Sequence, residues 1–163
     1  NLVTPQLFQQ YRTAADFARA NTADLEAQIR PLGFFRNKTK SIQGCCRVLA
    51  DKHTGEVPKT MEELIELGGV GRKTANVVLG NAFNVNAGIV VDTHVQRVSQ
   101  RLDLTANSDP GKIEQDLMSI IPRERWIVFS HQLILHGRAI CEARHPKCPA
   151  CPINHLCPSR QLP

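Results

Sequence analysis

Three groups of residues in this sequence have the types and spacing that chemistry needs. The first is Gly68-Gly69-Val70-Gly71-Arg72-Lys73, a glycine-rich turn followed at once by two cations. Glycine has no Cβ, so a ligand can approach the backbone closely. The N–H groups that open the following helix have no intrahelical partner and form an anion site, suited to a DNA phosphate. Contact with backbone charge of this kind is independent of base sequence. Arg72 and Lys73 fall in the first turn of that helix, where the dipole disfavours cations, and departures from a local rule gather at functional sites. A bound phosphate would offset the cost. The positive helix end and Arg72 would also favour the neutral amine of Lys73, a nucleophile able to form a Schiff base. The plain alternative is an ordinary turn beside a solvated lysine.

The second group centres on Asp92, which follows the apolar Ile89-Val90-Val91 and precedes a helical stripe. Its position is that of an N-cap. At a domain junction the same carboxylate could face a cleft, stabilise a cationic sugar transition state or activate a nucleophile. His94, on the next turn, could reach a phosphate or simply pack. The third group is Cys141, Cys148, Cys151 and Cys157. Only Cys148 and Cys151 have the close spacing typical of structural zinc. Four cysteines also suit a [4Fe–4S] cluster, although the spacing is not the ferredoxin run. The residues by themselves leave zinc and iron–sulfur even. Either ligation would fold a tail too polar to bury a core. Between the first two cysteines lie Arg144, His145 and Lys147, a basic loop that is either a phosphate contact or a solvated surface.

The elements that must position these groups read as helices nearly throughout. Thr4 reads as a cap with Pro5 behind it, and Leu7, Phe8 and Tyr11 follow at helical spacing. Thr22 reads as the next cap, with Leu25 and Ile29 on one face and Pro31 and Gly33 as the stop. Between Lys38 and Lys52 the stripe Ile42, Cys45, Cys46, Leu49 makes the two adjacent cysteines small core residues. Thr60 to Glu63 is a capping box opening a short helix through Leu64, Ile65 and Leu67. After the glycine turn a helix carries Ala75, Val78 and Leu79. Asp92 or Thr93 caps another with Val95, Val98 and Leu102. Asp109-Pro110 starts a helix with Ile113, Leu117, Ile120 and Ile121 on its face. Trp126 to Cys141 is a long segment with Trp126, Phe129, Leu133, Ile134 and Ile140 inside. No segment alternates with period two. The fold class is all-α, with a loop-rich, cysteine-bearing tail after residue 141.

Composition agrees with this reading. The chain has 163 residues, 42% hydrophobic and 21% charged, which is ordinary globular usage and excludes low-complexity disorder. Aliphatic runs such as Ile89-Val90-Val91 are far too short to span a membrane, and no signal-peptide pattern opens the sequence. Without an export signal, the tight cluster of four cysteines argues for a metal or cluster site rather than disulfides. The net charge of +5 favours an anionic partner, nucleic acid first.

Taken together, Leu67 to Ala75, Val91-Asp92-Thr93-His94-Val95 and Leu135-His136-Gly137-Arg138, the last leading into the four-cysteine spacing, resemble the endonuclease III family. This is the iron–sulfur branch of the helix-hairpin-helix DNA glycosylases. Gly33 to Lys38 and Gly55-Glu56-Val57-Pro58 match as well, so the resemblance runs from about Asn1 to Cys157. It implies a six-helix-type domain over 1–86, holding the helix-hairpin-helix at 60–79, and a helical cluster domain over 87–163 with the cysteine loop at 141–157. It implies base excision repair. Oxidised pyrimidines are removed from double-stranded DNA after the nucleotide is flipped out, and the abasic strand is then nicked by β-elimination. Lys73 matches the lysine that attacks C1′ and forms the Schiff base, and Asp92 matches the aspartate that assists it. Gly69, Val70, Gly71, Arg72, His94, Arg144 and Lys147 are the implied DNA contacts, and Phe34 falls at the wedge that fills the gap left by the flipped base, unless it is buried beside Phe35. The four cysteines match the ligands of a [4Fe–4S] cluster, which tips the even metal choice. The implied protein is a cytoplasmic, nucleoid-associated monomer with no membrane partner.

The lysine favours a bifunctional glycosylase/AP lyase over the monofunctional mismatch glycosylases, which lack it. A non-catalytic DNA-binding fragment and a redox iron–sulfur protein are the other readings. Three departures from the family stand out. Gly68 replaces a usual proline, the stretch from Lys73 to Asp92 is one residue longer, and the chain begins after the family's first helices. The last point leads us to expect poor stability or a preceding segment.

Overall fold

A computed structural model describes residues 2–161, and among them all regular structure is helical. None of these helices is long and apolar enough to cross a membrane. The chain forms two compact units, Asn1–Ala75 and Asn76–Pro163, so the division falls inside one helix.

The first unit contains α1 (Thr4–Gln10), α2 (Ala14–Arg19), α3 (Thr22–Ile29), α4 (Phe35–Lys52), α5 (Met61–Ile65) and the opening turn of α6 (Arg72–Phe83). Helices α2 and α3 pack on α4. Their core is Leu7, Tyr11, Phe17, Leu25 and Ile29, with Phe35, Ile42 and Cys46 against it. Of the stripe, Ile42 and Cys46 pack against this core and Leu49 is buried, while Cys45 is half-buried and outside it. Five local expectations need correction. Helix α1 has Val3, not Thr4, at its cap position and no side-chain cap bond; Phe8 stands out of the core, edge-on to Phe17. Asn21 rather than Thr22 caps α3, because its Oδ1 accepts from the N–H groups of both Ala23 and Asp24. The Thr60 box is half formed. Thr60 Oγ1 accepts from Glu63 N–H, but the Glu63 carboxylate accepts from the Thr60 hydroxyl instead of the backbone. Ile65 is exposed. Helix α2, which the apolar pattern did not single out, carries a complete box between Thr13 and Asp16.

The second unit contains the rest of α6, then α7 (Thr93–Arg101), α8 (Pro110–Ile120) and α9 (Trp126–Ala139), followed by a tail with single 3₁₀ turns at Cys148–Ala150 and Asn154–Leu156. Ile89, Val91, Val95, Val98, Ile113, Leu117, Trp126 and Leu133 form its core. Asp109 caps α8 as expected, through Lys112 N–H, but Ile120 lies outside the apolar face. Helices α7 and α9 pack closely. A Cβ on Gly137 would come to 3.0 Å from the His94 Cβ, which explains the glycine inside α9. A second close approach is at Gly88, where a Cβ would lie 2.0 Å from Glu114 Oε1. That carboxylate is buried and accepts from Asn76 Nδ2 at 2.8 Å.

Candidate active site

The glycine turn forms as its sequence demands. Leu64 and Leu67 are buried and anchor α5, and Val70 N–H donates to the Leu67 carbonyl at 3.0 Å. Gly69 has φ +79, and a Cβ on it would lie 2.6 Å from the Ser41 Cβ, so backbone conformation and space both require glycine. Helix α6 opens at Arg72. Lys73 is exposed in its first turn, and its amine has no hydrogen bond or ion pair among the described residues.

Asp92 is the N-cap of α7. One oxygen, Oδ1, accepts from His94 N–H at 2.8 Å and Val95 N–H at 2.9 Å. This leaves Oδ2 without a partner among the described residues. Capping fixes the side chain and chemistry can use the other oxygen, so the two roles are compatible in one carboxylate. His94 Nδ1 lies 3.2 Å from Arg97 Nη2. Arginine only donates, so Nδ1 accepts and the proton of the neutral ring sits on Nε2. Burial pushes the neighbouring His136 below the ordinary histidine range.

All six cysteines are free thiols. Cys141, Cys148, Cys151 and Cys157 line one cavity. Among the described residues, no three His, Cys, Asp or Glu side chains converge on a point as ligands of one ion do. Thiolate sulfur ligates zinc and iron–sulfur clusters alike, so this donor set fits either group. Sequence reasoning missed two arginines, Arg101 in the cavity wall and Arg97 one turn before it. Arg101 Nη1 donates to Cys141 Sγ at 3.2 Å and to the Glu142 carbonyl at 2.7 Å. Arg97 donates to the carbonyls of Gly137 and Cys141. These two arginines lie one turn apart on α7, directly after Asp92, and that spacing was the available signal.

The remaining expected site residues differ in how they are held. Arg144 is exposed with no partner among the described residues. Lys147 is engaged within its own loop, paired with Glu142 at 2.7 Å and donating to the Ala139 carbonyl at 3.0 Å. Phe34 is 86% exposed and left-handed at φ 47, so it is not a buried companion of Phe35. A bulky residue at positive φ is uncommon and strained. Lys38 Nζ donates to the Leu32 carbonyl at 2.7 Å and ties this corner to α4.

A helix-hairpin-helix, a capped aspartate and a four-cysteine cavity in an all-helical chain together define a class. The family model for HhH-GPD superfamily base excision DNA repair proteins matches residues 1–123, and the chain belongs to that family. The likeness narrows further. Endonuclease III of Synechocystis sp. is 55% identical over 99% of this chain and 74% of its own length. Endonuclease III of Bacillus subtilis is 44% identical over 96% of this chain and 72% of its own length. A solved structure of a trapped endonuclease III–DNA covalent intermediate, an estranged-adenine complex, superposes with a TM-score of 0.93 at 48% identity, covering 98% of this chain and 75% of that one. The chain is thus an endonuclease III homologue, a DNA glycosylase/AP lyase of base excision repair.

Proposed function

We propose that this chain binds double-stranded DNA, removes oxidised pyrimidines and cleaves the resulting abasic site through a Schiff base on Lys73. The observation that carries the reading is an exposed, unpartnered lysine in the turn of helix directly after a glycine hairpin. The Lys73 amine attacks C1′ of the flipped nucleotide. The C1′–N bond breaks, and the base leaves with the bonding electrons and takes a proton. The sugar ring opens to an iminium joined to Nζ. Loss of a C2′ proton then expels the 3′ phosphate by β-elimination, and water releases the lysine. Asp92, through the oxygen that capping leaves over, stabilises the cationic sugar and helps deprotonate the attacking amine.

The hairpin residues Gly69, Val70, Gly71 and Arg72 hold a backbone phosphate, His94 donates to another through Nε2–H, and Arg144 reaches the duplex from the cysteine loop with Lys147 bracing that loop. Phe34, held out in solvent by a strained corner, is the wedge. An apolar side chain kept exposed at a cost in backbone energy needs a partner, and an unstacked base step is one. We divide the chain functionally at 86/87, which keeps both helices around the hairpin in one domain.

Cys141, Cys148, Cys151 and Cys157 are proposed to hold a [4Fe–4S] cluster. The shared cavity and the Arg101 donor on Cys141 Sγ fit a thiolate-held group, and the likeness to endonuclease III favours iron–sulfur over zinc. Ligation by these four cysteines would order the loop carrying Arg144, the proposed DNA contact, which Arg97 and Arg101 of α7 already hold by its carbonyls. A protein acting on one lesion needs no symmetry, so we take it to be a monomer, cytoplasmic and associated with the nucleoid.

Borohydride trapping on a duplex carrying thymine glycol tests the mechanism. A covalent complex is expected for the wild type and none for Lys73→Ala. Trapping that survives the substitution would reject the lysine, and base release without strand cleavage would favour the monofunctional alternative.

A further inference from the structure

We propose that a groove on the first unit, between α4 and the glycine hairpin, is a second site for the DNA phosphodiester backbone, with Lys40, Ser41 and Arg47 as its binding side chains. The proposal rests on the reading of the chain as a DNA-acting enzyme and extends it to residues outside the motifs that carry that reading. The groove is open to solvent and is lined by Lys40, Ser41, Gln43, Gly44 and Arg47 of α4 and by Gly68 and Gly69 of the hairpin.

Charge gives the first argument. Lys40 and Arg47 are exposed, and neither makes a hydrogen bond or ion pair among the described residues. No carboxylate lines the groove. The Ser41 hydroxyl has no partner among the described residues either. The walls therefore offer donors and positive charge, and the ligand they fit is an anion.

Spacing gives the second. Lys40 and Arg47 are seven residues apart on one helix, so they share a face and stand about 10.5 Å apart along its axis. One strand of duplex DNA rises about 3.4 Å per phosphate. Two cations at this separation match about three phosphate-to-phosphate steps and are too far apart to chelate one free phosphate ion.

The floor gives the third. Gly44 sits in the middle of an 18-residue helix, where glycine costs about 1 kcal/mol relative to alanine. Packing does not demand it, because a Cβ added there would meet nothing within 4 Å. The space above Gly44 is the groove itself. A glycine that weakens its helix and leaves a cation-walled trough open is accounted for by a ligand in that trough.

The test uses the full chain and two duplexes, one undamaged and one with an abasic-site analogue, titrated across a series of KCl concentrations. Lys40→Gln/Arg47→Gln is expected to bind both duplexes more weakly by the same factor. Its plot of log K against log salt should be shallower by about 2, since each phosphate contact contributes about 0.9. Its rate of borohydride trapping at saturating DNA should be unchanged. Gly44→Glu, which favours the helix and pairs with both cations, should weaken binding while the thermal midpoint stays level or rises. Lys112→Gln, on α8, controls for net charge. Unaltered slopes in the first two variants, or an equal loss in Lys112→Gln, would overturn the groove alone. A wild-type chain with no salt-dependent duplex binding would overturn the functional reading and the groove with it.

Discussion

Asp92 has two tasks that a substitution can pull apart. Its Oδ1 caps α7 through two backbone N–H groups, and the proposed chemistry uses its charge. Asparagine keeps the capping oxygen and loses the charge, whereas alanine loses both. Asp92→Asn should therefore unfold in urea at nearly the wild-type midpoint, and Asp92→Ala should lose about 1 kcal/mol. Both should lower the single-turnover rate of borohydride trapping by a similar factor. Equal activity in Asn and wild type would confine Asp92 to its structural duty. Cys46 shows the opposite situation, a reactive residue type made inert by its surroundings. Burial, with the neighbouring Cys45 as a lesser cause, pushes its thiol up to about 11, and burial also raises Cys45. At pH 8 a thiol of that acidity is on the order of one part in a thousand thiolate, the form that reacts. Iodoacetamide should label this pair slowly in the native protein and rapidly in urea, as read by peptide mass spectrometry.

Among the elements, the hairpin depends most strictly on one residue type. Gly69→Ala sets a Cβ 2.6 Å from that of Ser41 at a φ of +79. Left-handed strain of about 1–2 kcal/mol adds to the cost of moving Ser41, so the urea midpoint should fall and duplex binding should weaken with it. Gly71→Ala, where a Cβ meets nothing within 4 Å, should be milder in both measurements. The glycine motif was legible in the sequence because all its parts are adjacent, and the Asp92 and Asp109 caps were legible for the same reason. Other elements were harder to read. Asn21 and Thr22 are both good caps in neighbouring positions, and only the direction of the Ala23 and Asp24 N–H groups selects the asparagine. Phe8, Ile65 and Ile120 keep helical spacing yet lie outside the core, because a period marks a face without stating how far its partner extends. The Arg101–Cys141 bond spans 40 residues, and the Asn76–Glu114 pair spans 38. A single sequence carries no sign of such pairings. The exposure of Phe34 was likewise set by its backbone conformation, which the pair Phe34-Phe35 does not reveal.

For the whole molecule, acid and loss of the proposed cluster should act on different regions. The Thr13 hydroxyl and backbone hold the Asp16 carboxyl below the usual carboxylate range, and Thr105 and Asn107 do the same for Asp116. A carboxyl depressed in the folded state binds fewer protons there than in the unfolded chain. Its contribution is present above the unfolded value, near 4, and is lost as pH falls through the lower folded value. The melting temperature should thus be level near neutrality and decline below about pH 4, with Asp116→Asn flattening the decline. Cluster removal should strike elsewhere. No residue from 140 to 161 is buried, so this tail has little apolar packing of its own. It is held to α7 by Arg97 and Arg101, which donate to the carbonyls of Cys141, Glu142 and Ala143. The buried core of the second unit is drawn from residues 89–133, and from the tail Cys141 packs against it. Ligation would then be the main force ordering the tail and a minor one for the helices. Oxidative removal of the cluster should leave far-ultraviolet circular dichroism nearly unchanged while limited trypsin begins to cut at Arg144 and Lys147. DNA affinity should drop at the same step, because Arg144 loses its fixed position. Loss of the whole helical signal on removal would mean that the cluster sustains the core as well, and a tail that stays resistant to trypsin would mean that the arginine–carbonyl bonds suffice without it.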